Sequence, residues 1–269
     1  MTELVGDIAI VTGGASGIGT AIATRLADLG ASVAIFDLDL DRAETVAKDL
    51  QSSRGSIRAI AVQVDITDEQ QVEAGFERVL DKLGDPRILM NNAGSAHLNL
   101  ITEISAEEWD KTLSTNLKGT FLMTRAFARN LIGKNLGGAI VNTSSLNYSA
   151  ATDGLSHYCC AKAGVSMFTQ VAASEFGRHN IRVNAVAPGT TRTPLTEAIG
   201  TVTGQMGASF VERTPLGRLG VPEDIALVAG FLATTDARWV TGETIYVDGG
   251  NHIRGLHSYW DVMRNEGKV

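Results

Sequence analysis

Residues 8–19 read Ile8-Ala9-Ile10-Val11-Thr12-Gly13-Gly14-Ala15-Ser16-Gly17-Ile18-Gly19, and this stretch decides the fold. Its first four residues are apolar without a break, as in a strand buried on both faces. Beyond it, Ile22, Leu26 and Leu29 recur at helical spacing, and Gly30 is placed to stop the helix. The glycines fill the turn between the two. Gly13 allows a tight turn, Gly17 a close backbone approach to a pyrophosphate, and Gly19 close packing of helix on strand. A helix that starts here, with Ser16 and Ile18 at its entrance, offers free N–H groups and the positive end of its dipole to an anion. The spacing is G-x-x-x-G-x-G, not G-x-G-x-x-G. The strand–turn–helix context therefore carries the reading, and a glycine turn without a ligand is the alternative.

Working outward, Val33-Ala34-Ile35-Phe36 is a second apolar run, ending at Asp37, 18 residues after Gly19. A carboxylate at that strand end can accept from both hydroxyls of an adenosine ribose and repels a 2′-phosphate. The nearest following cation is Arg42, so NAD is expected over NADP. Strand and helix then alternate along the chain. The spacing predicts helices over 40–51, 72–83, 106–130 and 156–177, and one after Pro222. It predicts strands over 57–64, 88–90, 139–141, 181–187 and 244–247. Such alternation implies an α/β fold: one Rossmann-type, doubly wound parallel sheet of about seven strands with helices on both faces. No linker or repeat divides residues 1–269, so one domain is expected. Segment 190–220 has no clean period and follows a strand end, the place for a mobile substrate lid. Residues 251–269 form a tail whose Ile253, Leu256, Tyr259, Trp260 and Met263 suggest docking on this subunit or a neighbour.

The composition excludes several classes. The chain has 269 residues, 44% of them hydrophobic, which suffices for a real core. Its 29 glycines stand beside only 5 prolines, so the glycines serve turns and close contacts inside a fold. The net charge of −7 and the lack of a basic cluster argue against nucleic acid as a partner. No apolar run reaches membrane-spanning length, and Met1–Leu4 does not begin a secretion signal. The two cysteines, Cys159 and Cys160, are adjacent, with no metal-ligand spacing. We therefore expect a reduced, cytoplasmic protein without a metal, in which these thiols are structural.

The second chemical motif is Tyr158-Cys159-Cys160-Ala161-Lys162. On a helix, Tyr158 and Lys162 share a face one turn apart. An ammonium beside a phenol favours phenolate and so lowers its pKa, fitting Tyr158 to exchange a proton with an alcohol or ketone oxygen. Taken with T-G-x-x-x-G-x-G, Asn91-Asn92-Ala93-Gly94, Asn116, Ser145 thirteen residues before Tyr158, and Pro188-Gly189, the chain resembles the short-chain dehydrogenase/reductase family over residues 5–250. Pro215-Leu216-Gly217-Arg218 and Val247-Asp248-Gly249-Gly250 extend the likeness.

The resemblance implies a catalytic group of Asn116, Ser145, Tyr158 and Lys162. In it Tyr158 is the general acid/base, and Lys162 lowers its pKa and holds the nicotinamide ribose. Ser145, preferred over Ser144, orients the substrate oxygen, and Asn116 holds a water that relays protons from Lys162. It also implies cofactor contacts from Asp65 and Ile66 at the adenine, from Asn92, Ala93 and Gly94 along the cleft, and from Pro188, Gly189, Thr191 and Thr193 at the nicotinamide end. Relatives of this type are dimers or tetramers, so a homo-oligomer is expected. The expected activity is NAD-dependent interconversion of a secondary alcohol and a ketone. Leu146, Tyr148, Leu155, Leu195, Ile199, Met206 and Phe210 are expected to give the pocket an apolar wall, hence a hydrophobic substrate such as a steroid, terpenoid, or aryl or alkyl alcohol. His97 could also face the substrate, whereas His157 should point away from it. The alternatives are a 3-oxoacyl-thioester reductase and a dinucleotide-binding regulator without chemistry.

Overall fold

The computed structural model describes residues 3–255 together with Arg264 and Gly267. The chain alternates as β1 (Ile8–Thr12), α1 (Gly17–Asp28), β2 (Ser32–Asp37), α2 (Leu40–Ser53), β3 (Ala59–Gln63), α3 (Glu69–Lys82) and β4 (Ile88–Asn91). It continues as α4 (Ala106–Leu113), α5 (Gly119–Gly133), β5 (Gly138–Thr143), α6 (Ser156–Phe176), β6 (Ile181–Pro188), α7 (Pro194–Ile199), α8 (Gly204–Arg213), α9 (Pro222–Ala233), β7 (Thr244–Val247) and α10 (Asn251–Arg254). The strands form one seven-stranded sheet in the order β3-β2-β1-β4-β5-β6-β7. Every strand pair is parallel. This is the expected single α/β domain.

The pleat of β1 shows how the apolar runs hold both layers. Ala9 and Val11 join a core with Ile22 and Leu26 of α1, Ala43 and Ala47 of α2, and Ile225 and Ala229 of α9. Ile8 and Ile10 point the other way, to Phe76 of α3, Phe127 of α5 and Ala172 of α6. Ile10 is wholly buried; truncation to Ala would cost about 2–5 kcal/mol. The chain order reverses between β1 and β4, so their carboxyl ends open a crevice at the switch point.

Two expectations change in detail, and a third lies mostly outside the described residues. The helix expected over 106–130 is interrupted by a wider turn at Ser114–Lys118, with π-type bonding. The Asn116 amide has entered the helical ladder there: Nδ2 donates to Thr112 O at 3.0 Å and to Ser95 O at 2.9 Å. A 3.6-residue period cannot reveal such an insertion. Segment 190–220 is not a loose loop. It folds into α7, capped by Thr193 on the Thr196 N–H, and α8, whose Met206 and Phe210 are buried against Leu155. Gly200 and Gly204 have positive φ at the ends of these helices, but Gly207 serves packing, since a Cβ there would lie 2.7 Å from Val202 backbone. In the tail, Ile253 is exposed; Leu256, Tyr259, Trp260 and Met263 lie outside the described residues.

Candidate active site

A cleft of about 620 Å³ runs along the carboxyl ends of the strands. One end is lined by Gly13, Ser16, Gly17, Ile18, Asp37, Asp65 and Ile66, the middle by Asn92, Ala93 and Gly94, and the other end by Asn116, Ser145, Tyr158, Lys162, Pro188, Gly189, Thr191 and Thr193. The expected site residues thus meet in one cavity, with one exception. Gly19 is not in the wall. Its role is packing, because a Cβ there would fall 1.9 Å from the Gly13 carbonyl oxygen.

The glycine loop is shaped by its neighbours. Gly13 and Gly17 have φ of +62° and +53°, which disfavours any side chain. Thr12 Oγ1 accepts from the N–H groups of Asn92 and Ala93 at 3.0 and 3.1 Å. The Asn92 amide donates to Thr12 O and Gly13 O, both at 3.2 Å, so its side chain braces the loop. Asp37 accepts from the Ala15 N–H at 3.0 Å and the Asp39 N–H at 3.1 Å. Arg42 pairs with Asp39 at 3.1 Å. Asp65 accepts from the Thr67 N–H and hydroxyl at 2.8 and 2.7 Å. Ser16, the N-cap of α1, makes no side-chain cap bond, so it leaves the first-turn N–H groups open to an anion.

At the far end, Lys162 is buried and donates to Thr143 O at 2.8 Å. Burial pulls its ammonium down to about 8. Its Nζ lies over the Tyr158 ring, 5.5 Å from the ring centre. This corrects the expected direction for Tyr158: burial pushes the phenol above its ordinary value, and a hydrogen bond with Ser145 opposes the rise. Asn116 Oδ1 is buried without a partner. A Cβ on Gly94 would sit 2.7 Å from that oxygen and 3.5 Å from Lys162 Nζ, so both groups converge on the space beside Gly94. Ser144 is not equivalent to Ser145. Its hydroxyl turns inward to Lys162 O and Ser166 Oγ, each at 3.0 Å.

The substrate wall differs from expectation. Leu146, Leu155, Leu195 and Ile199 line the cleft, as do Ala96 and Leu98. Met206 and Phe210 lie behind them, because the lid folds as amphipathic helices that bury their larger side chains. Tyr148 turns to β7, its ring 5.2 Å from that of Tyr246. His97 is exposed and outside the wall. His157 is buried, also outside it. Cys160 is exposed and Cys159 half-buried, so the pair does not form a buried core. Asn147 and Thr201 add polar groups to a wall expected to be largely apolar. Among the described residues no cluster of metal-ligating side chains occurs, and no helix is long and apolar enough to cross a membrane.

A glycine turn at a switch point and a tyrosine–lysine–serine group in the same cleft define an oxidoreductase of the nucleotide-binding α/β type. A family model described as Enoyl-(Acyl carrier protein) reductase matches residues 13–252. The (3R)-3-hydroxyacyl-CoA dehydrogenase of Homo sapiens is 38% identical over 255 residues, covering 90% of this chain and 94% of its own. D-threitol dehydrogenase of Mycolicibacterium smegmatis is 39% identical over 252 residues, covering 94% and 95%. Among solved structures, a short-chain type dehydrogenase/reductase from Mycobacterium ulcerans matches with a TM-score of 0.93 and 30% identity, over 100% of this chain and 97% of that one. The chain belongs to the short-chain dehydrogenase/reductase family.

Proposed function

We propose that the protein is an NAD-dependent dehydrogenase that interconverts a neutral secondary alcohol and its ketone. The observation that carries this reading is the single cleft joining Asp37 and the glycine loop to Ser145, Tyr158 and Lys162. The residues present suit a nicotinamide dinucleotide. Side chains are excluded at Gly13, where a Cβ would meet Ala93 Cα at 2.8 Å, and the first-turn N–H groups of α1 line the same wall. Asp37 would take the ribose hydroxyls, Asp65 and Ile66 the adenine surroundings, and Pro188 to Thr193 the nicotinamide end. When bound, the cofactor supplies or takes the hydride at carbon.

The chain's own residues handle the oxygen. Ser145 donates to the substrate oxygen and orients it. Tyr158 gives its proton to the ketone oxygen in reduction and removes one from the alcohol in oxidation. Lys162 holds the ribose and keeps a positive charge under the ring. Asn116 Oδ1 and Lys162 Nζ share the space where a water can pass the proton to solvent. Leu98, Leu146, Leu155, Leu195 and Ile199 hold the apolar flank of the substrate. Exposed Phe121 on α5 and Met167 and Val171 on α6 support a homo-oligomer.

The resemblance to a 3-hydroxyacyl-CoA dehydrogenase favours a second reading, an acyl-thioester substrate. One panel separates the two: secondary alcohols with NAD or NADP, beside acetoacetyl-CoA with NADH or NADPH. We expect alcohol turnover with NAD. Thioester reduction as the dominant activity would replace the first reading with the second, and preference for NADP would overturn the role of Asp37. No hydride transfer with any pair would remove the enzymatic reading.

A further inference from the structure

We propose that Asn147 sets the substrate class: its Oδ1 accepts from a hydroxyl on the carbon next to the reacting one, so the substrates are vicinal diols and the matching α-hydroxyketones. This inference rests on the alcohol/ketone reading of the cleft. Asn147 is only 9% exposed, yet it lines the cleft beside Ser145. Its amide is held in one orientation. Nδ2 donates to Thr152 Oγ1 at 2.6 Å and to Ala150 O at 3.3 Å. A backbone carbonyl can only accept, so the amide nitrogen faces Ala150 and the amide oxygen faces Ser145.

Ser145 has one hydroxyl proton; with the Tyr158 phenol held neutral by burial and able to donate to Ser145, that proton is engaged at Asn147. Oγ donates to Asn147 Oδ1 at 3.2 Å and accepts from the Asn147 N–H at 3.2 Å. To orient a ketone, that proton must swing from Oδ1 to the ketone oxygen. A buried acceptor is then left without a donor, which disfavours binding. A plain ketone cannot repair this. A hydroxyl on the neighbouring carbon can, because vicinal oxygens lie about one hydrogen-bond length apart and can bridge Ser145 and Asn147. The exchange conserves hydrogen bonds: Ser145 passes its donor to the reacting oxygen and the substrate hydroxyl supplies one to Oδ1. The apolar wall at Leu146 and Leu155 holds the remaining carbon skeleton.

The experiment compares matched pairs with the full chain and its accepted cofactor: vicinal butanediol against secondary butanol, and vicinal cyclohexanediol against cyclohexanol. The diols are expected to exceed the mono-alcohols in kcat/KM by about tenfold or more. Asn147→Leu is expected to bring that ratio near one. Asn147→Ser, which shortens the side chain, carries the same test should the leucine variant fail to show a cofactor-induced rise in Tm. Mono-alcohols matching the diols in the wild type, or a diol preference kept in a folded variant, would overturn the role of Asn147 and leave the dehydrogenase reading standing. Turnover of none of the four alcohols would overturn both.

Discussion

The turn from Thr12 to Gly19 and the segment from Thr190 to Gly220 face each other across one cleft, and both carry glycines, yet they are built differently. In the turn, backbone makes the surface. Gly13 and Gly17 take left-handed conformations, and Gly19 lies against the Gly13 carbonyl. Asn92 and Thr12 tie the turn to the end of β4. In the segment, side chains make the surface. Its helices bury Met206 and Phe210 and present Leu195 and Ile199 to the cleft. The two touch where a Cβ on Gly17 would meet Thr193 Cβ at 3.4 Å. A surface of backbone groups suits a constant ligand, and a surface of side chains suits one that varies between related enzymes. The difference predicts that cofactor binding and substrate turnover can be broken separately.

The largest expected effect is on turnover alone. Tyr158→Phe removes the exchangeable proton but keeps the ring, so kcat should fall by roughly 10²–10⁴. The Kd for NAD, measured by fluorescence titration, should stay within about threefold, since the glycine turn is untouched. A Kd that rises in step with the loss of kcat would mean that the two sides of the cleft are not separable.

The opposite break is at Gly19. In Gly19→Ala a Cβ must enter space 1.9 Å from a backbone oxygen that has no freedom to turn away. We expect a loss of about 2 kcal/mol or more in urea unfolding and at least about tenfold weaker NAD binding. Gly200→Ala is the control on the other side. Its φ of +79° makes alanine unfavourable by about 1 kcal/mol, with NAD affinity kept. Equal losses of NAD affinity in both variants would remove the distinction between the two regions.

Legibility in the sequence follows the same division. The strands, the glycine turn and Asp37 were readable because local rules place them: unbroken apolar runs, residues suited to positive φ, and a carboxylate at a strand end. Gly19 was readable as a packing residue but not as one that stays out of the cleft wall. Across the cleft, the sequence does not separate Met206 and Phe210 from substrate wall, because an apolar residue in an irregular segment looks the same on either side of it. His97 stays open to either reading for a related reason, since nothing in the sequence after Gly94 tells which way the chain turns. Asn147 left only a weak signal, a polar side chain two residues after Ser145. Its meaning comes from Thr152 and Ala150, which return to it through an irregular turn. The interruption at Asn116 depends on the Ser95 carbonyl, 21 residues away in sequence.

Lys162 supplies a pH-dependent test of the catalytic end, because it is buried in the wall of the cleft. Its folded value of about 8 lies below the ordinary 10.5 of lysine. Below pH 8 both folded and unfolded chains hold the proton, and the folded state bears the full cost of a buried ammonium. Between about 8 and 10.5 the unfolded chain binds more protons than the folded one, so stability rises with pH through that window. Lys162→Met should abolish this rise. At pH 7 the variant should be more stable by roughly 2 kcal/mol, the relief of a buried charge less the lost bond to Thr143. Urea unfolding of both proteins at pH 7, 9 and about 10.5 measures the difference directly. A gap that shrinks as pH rises marks Lys162 as a group held charged in the fold at a cost in stability. A gap independent of pH would mean that burial does not depress this lysine, and that the ammonium beneath Tyr158 is solvated from the cleft.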